Sequence, residues 1–368
     1  MSPSTEEARQ YARIRYRLIG LNLFISWGFL LCLQLSGISA CWAGFVRLMA
    51  GKDWQIVLGY MMLFGPAQVL VDFPLHFYSS FVLEHRFHLS RLSFGQWLLR
   101  YAKRLAVGGV LGLFLVEALY WFLRALPNSW PIWATGAWVI FSIVIARAFP
   151  VLLLPIFYKT SRIENGPLVE RLMTLCRRTG VPALGVFRFG LGAETRKANA
   201  ALAGFGSTRR VLLSDTLISN FTEEEIESVL GHELAHHRFR HITKMLVLSA
   251  LGAYAAFQLT HAISRYWTIP LNLTGIQDIA GFPMLSLWLS VLGFASLPLQ
   301  NGISRAFEWQ CDRFAVTVSS PAAFAAALRK LGDLNLADPD PPRWVELFFY
   351  DHPAINKRVR FAEQAAGL

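Results

Sequence analysis

Six runs of apolar residues, each long enough to cross a bilayer, constrain this 368-residue chain more than any other feature. They fall at about Leu18–Leu35, Trp54–Phe77, Leu105–Leu123, Ile132–Ile156, Ile242–Ile263 and Phe282–Gln300. A hydrocarbon core of about 30 Å needs about 20 residues of helix. Lipid offers no hydrogen bonds to an exposed backbone, so each run must be helical. Charged residues make up only 16% of the chain, against about a quarter in soluble domains. The chain thus reads as an α-helical polytopic membrane protein of about six spans. A further stretch, Ser36 to Ala50, is apolar but short and interrupted by Arg47, and leaves room for a seventh.

The net charge is +11, from 35 basic and 24 acidic side chains. In a soluble chain this excess would suggest nucleic acid as a partner. Here the bases cluster between apolar runs and no nucleic-acid motif accompanies them, so no nucleic-acid partner is expected. The N-terminus, residues 80–104, residues 157–241 and the tail are rich in Lys and Arg, whereas residues 36–53, 124–131 and 264–281 are poorer. Six spans place all the rich segments on one side, which the positive-inside bias makes cytoplasmic. The expected location is the inner (cytoplasmic) membrane, multi-pass. The four cysteines, Cys32, Cys41, Cys176 and Cys311, form no Cys-x-x-Cys pair and no disulfide framework. Ile38-Ser39-Ala40-Cys41 is similar to a lipoprotein cleavage box, but more spans follow it, and the first run reads as a retained helix.

Composition divides the chain into N-terminal spans (1–156), a polar segment (157–241), two further spans (242–303) and a polar tail (304–368). In the polar segment, Pro167–Arg178 reads as an amphipathic helix. Val186–Phe189, Asn199–Phe205 and Arg210–Ser214 read as short strands. Thr222-Glu223-Glu224-Glu225 is a capping box. It opens a helix carrying His232-Glu233-Leu234-Ala235-His236, which is expected to run without a break into the fifth span. His232 and His236, four apart, share one helix face and can grip one zinc ion; Glu233 lies within reach of a water beside them. A catalytic zinc keeps three protein ligands and an open position. Residue 242 is Ile, which excludes the metzincin pattern. Glu308 and Asp312, one helical turn apart just after the sixth span, emerge on the same side. Glu308 is the expected third ligand, and Asp312 completes the site by accepting the other N–H of a ligating histidine. His237 and His241 read as solvated or phosphate-level residues.

Together these motifs resemble the integral-membrane zinc endopeptidases of the type I CAAX prenyl protease family, and more distantly the HtpX-like membrane proteases. The resemblance spans about Phe73 to Arg360. It rests on Tyr78-x-x-Phe81-x-x-Glu84, Pro155-Ile156-Phe157, Lys197-Ala198-Asn199-Ala200, Gly204-Phe205-Gly206, Arg210-Val211-Leu212-Leu213-Ser214-Asp215-Thr216-Leu217, the His-Glu-x-x-His helix, Ser304-Arg305-x-x-Glu308-x-x-x-Asp312, and His352-Pro353 followed by Arg358. It implies a cytoplasmic gluzincin-type α+β zinc metalloprotease domain. In that scheme His232, His236 and Glu308 bind one zinc ion, and Glu233 is the general base. Asn199 lies on the strand that lines the substrate. His352 and Arg358 lie close to the metal, His352 as an oxyanion stabiliser. The implied partners are the lipid bilayer and a polypeptide substrate, prenylated or membrane-inserted. Two other readings compete: an HtpX-type quality-control protease, and a metal transporter or non-catalytic scaffold. The larger family members have seven spans where this chain supports six.

Overall fold

The structure is a computed structural model and describes residues 3–204 and 209–368. Phe205 of the expected strand, and Gly206 of the motif beside it, lie outside the described residues. Among those residues, six helices are long and apolar enough to cross a membrane: Thr5–Leu35, Asp53–Arg86, Phe94–Ala125, Trp130–Phe157, His241–Ile263 and Ile279–Val318. Each contains one of the apolar runs, and the first, second, third and sixth extend it with polar turns. The stretch after the first run forms its own helix, Ile38–Met49, shorter than a span.

In chain order the elements are α1 (Pro3–Leu35), α2 (Ile38–Met49), α3 (Asp53–Phe77), α4 (Leu83–Arg86), α5 (Phe94–Ala125), α6 (Trp130–Ala148), α7 (Leu154–Phe157), β1 (Thr160–Arg162), α8 (Pro167–Arg178), β2 (Val186–Phe189), β3 (Ala200–Ala203), β4 (Arg210–Ser214), α9 (Asp215–Asn220), α10 (Glu223–Arg238), α11 (His241–Ile263), α12 (Arg265–Thr268), α13 (Phe282–Val318), α14 (Pro321–Asn335), α15 (Arg343–Phe349) and α16 (Ile355–Ala366). Single π turns at Tyr78–Val82 and Phe149–Leu153 join α3 to α4 and α6 to α7.

Polar contacts sort the connections to two ends of the bundle. At one end Arg47 on α2 donates to Asp278 at 2.6 Å, and Ser39 donates to the Ala280 carbonyl at 2.6 Å. At the other, Tyr11 on α1 donates to Glu84, Lys197 reaches Glu84 at 2.8 Å, and the hydroxyls of Tyr16 and Tyr350 meet at 2.6 Å. The base-poor segments therefore gather at one end and the base-rich ones at the other, as their charge suggested.

The base-rich end carries a four-stranded sheet of order β1-β2-β4-β3, with β2 parallel to β4 and the other pairs antiparallel. α8 and α10 cover it. Leu172 and Leu175 of α8 and Ile226, Leu230 and Leu234 of α10 are buried in one cluster with Val186, Val211 and Leu213. α8, β2 and β4 follow the sequence reading. β1 was not foreseen, because three exposed polar residues carry no alternation to read.

One expectation fails. The helix of the His-Glu motif does not run straight into the fifth span. α10 ends at Arg238, and α11 starts at His241 after a turn in which Arg240 takes φ 56°. A side chain larger than glycine pays about 1–2 kcal/mol to sit there. The contacts that His241 makes beyond the turn are the compensation, as described below.

Candidate functional site

The site forms where α10 and α13 cross. The Thr222 hydroxyl accepts from Glu225 N at 3.2 Å, and Glu225 Oε2 accepts from Thr222 N at 2.8 Å, so the capping box fixes where α10 starts. Gly231 allows the close crossing. A Cβ there would lie 3.1 Å from Val318 Cγ2 at the end of α13. α13 continues from the sixth span to Val318 as one helix, so Glu308 and Asp312 leave the membrane on the same face, both buried.

His232 Nε2 lies 3.1 Å from Glu308 Oε2, and His236 Nε2 lies 3.2 Å from Glu308 Oε1. A third imidazole nitrogen, His352 Nε2, is 3.2 Å from Glu308 Oε2. Despite this crowding, Glu308 Oε2 is buried with no aligned hydrogen bond. A buried acceptor without a donor is costly. Two imidazole nitrogens converging on an under-satisfied carboxylate suit a bound divalent cation, and zinc favours such a donor set. Cys311 also lies close, its ligand atom within 4.8 Å of those of His232 and His236. Its Sγ, however, is 3.5 Å from His241 Nδ1, while Glu308 alone spans both Nε2 atoms. Glu308 is therefore the better third donor.

Asp312 Oδ1 is 2.9 Å from His232 Nδ1. Arg358, from α16, holds Asp312 with both prongs: Nε to Oδ2 at 2.8 Å and Nη2 to Oδ1 at 2.7 Å. Burial alone would depress the pKa of His232, but its hydrogen bond to Asp312 and the Glu308 carboxylate beside it outweigh burial and lift it to about 9. A raised folded pKa stabilises the fold fully below the unfolded value of about 6.5. That contribution is lost as pH rises through about 9. A metal-bound imidazole carries no proton there. The melting temperature of the metal-free protein should accordingly fall from pH 6.5 to 9 relative to the metal-loaded protein. Parallel melting curves across that window would contradict the assignment of the proton.

A cleft of about 370 Å³ opens beside these groups, lined by Asn199, His232, Glu233, Tyr350, His352 and Arg358, among others. The cleft lining thus includes five of the eight expected residues, while Glu308 touches His232, His236 and His352, and Asp312 touches His232 and Arg358. Asn199 N donates to Ser214 Oγ at 3.0 Å, tying the start of β3 to β4. His352 Nδ1 is 2.8 Å from Asp351 Oδ1, which aims its Nε2 at Glu308.

The expectation of solvated His237 and His241 is overturned. His237 Nε2 lies 2.9 Å from the Leu202 carbonyl and ties α10 to β3. Burial lowers its pKa, with the carbonyl contact opposing, so the neutral ring donates there. His241 is 1% exposed and stacks on Phe307 at 4.3 Å. Its only sequence signal, a polar residue at the junction with an apolar run, is shared by many solvated histidines.

The chain is similar to known proteins over nearly all of its length. The model of peptidase family M48 matches residues 163–366, and that of the CAAX prenyl protease N-terminal region, described as five membrane helices, matches residues 2–159. Among the described residues of that second stretch there are four spans and the short α2. An uncharacterised metalloprotease of Bacillus subtilis, YhfN, is 24% identical over 97% of this chain and 85% of its own length. CAAX prenyl protease 1 of Saccharomyces cerevisiae is 28% identical over 82% of this chain and 71% of its own. The crystal structure of S. mikatae Ste24p superposes with a TM-score of 0.85 at 25% identity, covering 97% of this chain and 88% of that one. Both halves of the molecule are thereby accounted for, and the chain belongs to peptidase family M48 as a multi-pass membrane metalloendopeptidase.

Proposed function

We propose that His232 Nε2, His236 Nε2 and the Glu308 carboxylate hold one zinc ion on the cytoplasmic side of the membrane. There the chain cleaves peptide bonds of polypeptides anchored in or lying along the bilayer, prenylated CAAX-type proteins among them. The observation that carries this reading is the meeting of two imidazoles on one under-satisfied carboxylate, where a span helix continues beyond the apolar run and beside a cleft that Glu233 lines.

Bound zinc supplies Lewis-acid polarisation of a carbonyl and lowers the pKa of water to about 7. Glu233 takes a proton from the attacking water and returns it to the leaving amine. Asp312 accepts from His232 Nδ1–H, which leaves Nε2 bare. Arg358 keeps Asp312 charged and in place. His352, oriented by Asp351, donates from Nε2 to the oxygen on which charge develops.

Among the described residues β3 pairs with β4 alone and so presents a free edge. Asn199 O accepts from Ser214 N at 2.9 Å, so backbone groups of alternate residues, Ala200 and Leu202, face away from β4. The Leu202 carbonyl already receives His237. Ala200, which lines the cleft, is left to pair with a substrate added as a strand. The names of the yeast relative and its kin support a lipidated substrate. The relative from Bacillus subtilis is named only as a metalloprotease, which leaves a second reading open, clearance of unmodified membrane proteins.

The test has two arms. Zinc per chain should be close to one in the wild type and fall to near zero in Glu308→Ala; undiminished zinc in the variant refutes the ligand set. A farnesylated CAAX peptide should be cleaved faster than an unmodified misfolded membrane protein, and the reverse order would select the second reading.

A further inference from the structure

His241 has no place in the scheme above, yet it is buried against His236. In a continuous helix five residues separate two side chains by about 140° of rotation, at about 100° per residue. The left-handed turn at Arg240 removes that separation and folds His241 back, so that His241 Nδ1 lies 3.3 Å from His236 Nδ1. On its other edge, His241 Nε2 lies 2.9 Å from Gln310 Oε1. Its ring is held flat on Phe307, with an interplanar angle of 5°.

We propose that His241 is a positioning residue that sets the tautomer of His236, and that Gln310 sets the tautomer of His241. An amide oxygen only accepts, so His241 Nε2 carries the hydrogen. The neutral ring then has a bare Nδ1, which accepts from its neighbour. The neighbour is His236 Nδ1, which must carry its own hydrogen. His236 Nε2 is thereby left bare and aimed at the Glu308 side of the site. Cys311 Sγ lies 3.5 Å from the same His241 nitrogen, the longer of the two contacts at that lone pair. Asp312 does the corresponding work for His232, so each imidazole has its own orienting group, a carboxylate for one and a neutral relay for the other.

The inference rests on His236 being a metal ligand, and the experiment separates the two. The zinc dissociation constant of the full-length protein in detergent is measured by competition with a chromophoric chelator, alongside the melting temperature of the metal-free form. His241→Phe keeps the stack on Phe307 but cannot accept a hydrogen bond. Loss of such an orienting partner typically weakens metal binding about 10–100-fold, and that is the expected result. His241→Asn places an amide oxygen near the lost Nδ1 and should stay within a few-fold of wild type. Zinc binding by His241→Phe equal to wild type overturns the inference, as does an equal loss in His241→Asn. If His241→Phe does not fold, Gln310→Leu replaces it. That variant frees the His241 tautomer and should weaken zinc several-fold, with wild-type affinity again overturning the inference. A wild-type protein that takes up no zinc would instead fail at the ligand set itself and bring both readings down together.

Discussion

Glu233→Gln is expected to lower peptide-bond cleavage by about 10²–10⁴-fold, the usual worth of a general acid–base group, while zinc content and melting temperature stay at wild-type values. Glu233 lines the cleft and is only half buried, so an isosteric amide leaves the packing of α10 intact. The amide cannot take the proton from the attacking water, nor return one to the leaving amine. Its neighbours on the helix keep their roles, because Asp312 and Arg358 hold His232 from the opposite side. A purified Glu233→Gln protein that still cleaves at the wild-type rate would refute the assignment of the base. Equal losses of zinc and activity would show that Glu233 holds the site together instead of serving the chemistry.

The second large effect concerns stability. Arg358→Leu should destabilise the fold by about 3–5 kcal/mol, the typical cost of stranding one member of a buried ion pair. Arg358 is 7% exposed and Asp312 fully buried, and the two share two hydrogen bonds. Asp312 would be left with only His232 as a partner. Replacing both members, Arg358→Leu with Asp312→Leu, removes the stranded charge and should recover much of the loss in the metal-free protein. Zinc binding in that double variant should stay impaired, because His232 loses the group that orients it. Denaturant unfolding of the four proteins forms a double-mutant cycle. Additive losses would show that the two side chains act independently.

Where the sequence was legible, a short-range pattern stated the outcome. The six spans follow from apolar runs, and α10 announces itself through the Thr222 capping box. Glu308 and Asp312 were found by counting spans: an even number between base-rich segments puts the end of the sixth span beside the His-Glu helix. Asn199 and His352 came only from resemblance. Their local sequence carries no periodic or chemical signature, and only the fold brings them to the cleft. The turn at Arg240 was illegible for a plainer reason. Neither glycine nor proline marks it, and it is held in place by contacts of His241 with residues 69 and 70 positions downstream in the chain, Gln310 and Cys311. The Asp312–Arg358 pair is likewise invisible locally, because Arg358 occupies one face of a helix rich in polar residues.

The continuity of α13 has a mechanical consequence. Its 37 residues form one helix, with Pro298 inside it, whose lower part spans the bilayer and whose upper part carries Glu308. Glu308 lies about 39 Å along the axis from Phe282, at about 1.5 Å per residue. A change of tilt of about 2° about the far end would carry its carboxylate more than about 1 Å relative to α10, a displacement that can cost about a hundredfold in rate. Helix tilt responds to the match between apolar length and hydrocarbon thickness. Acyl-chain length is thus a hypothetical control variable for this protease, acting through a lever and requiring no lipid-binding pocket. Vesicles of short-chain and long-chain lipids should give different rates at equal zinc content, and identical rates would mean that α10 and α13 tilt together as one piece.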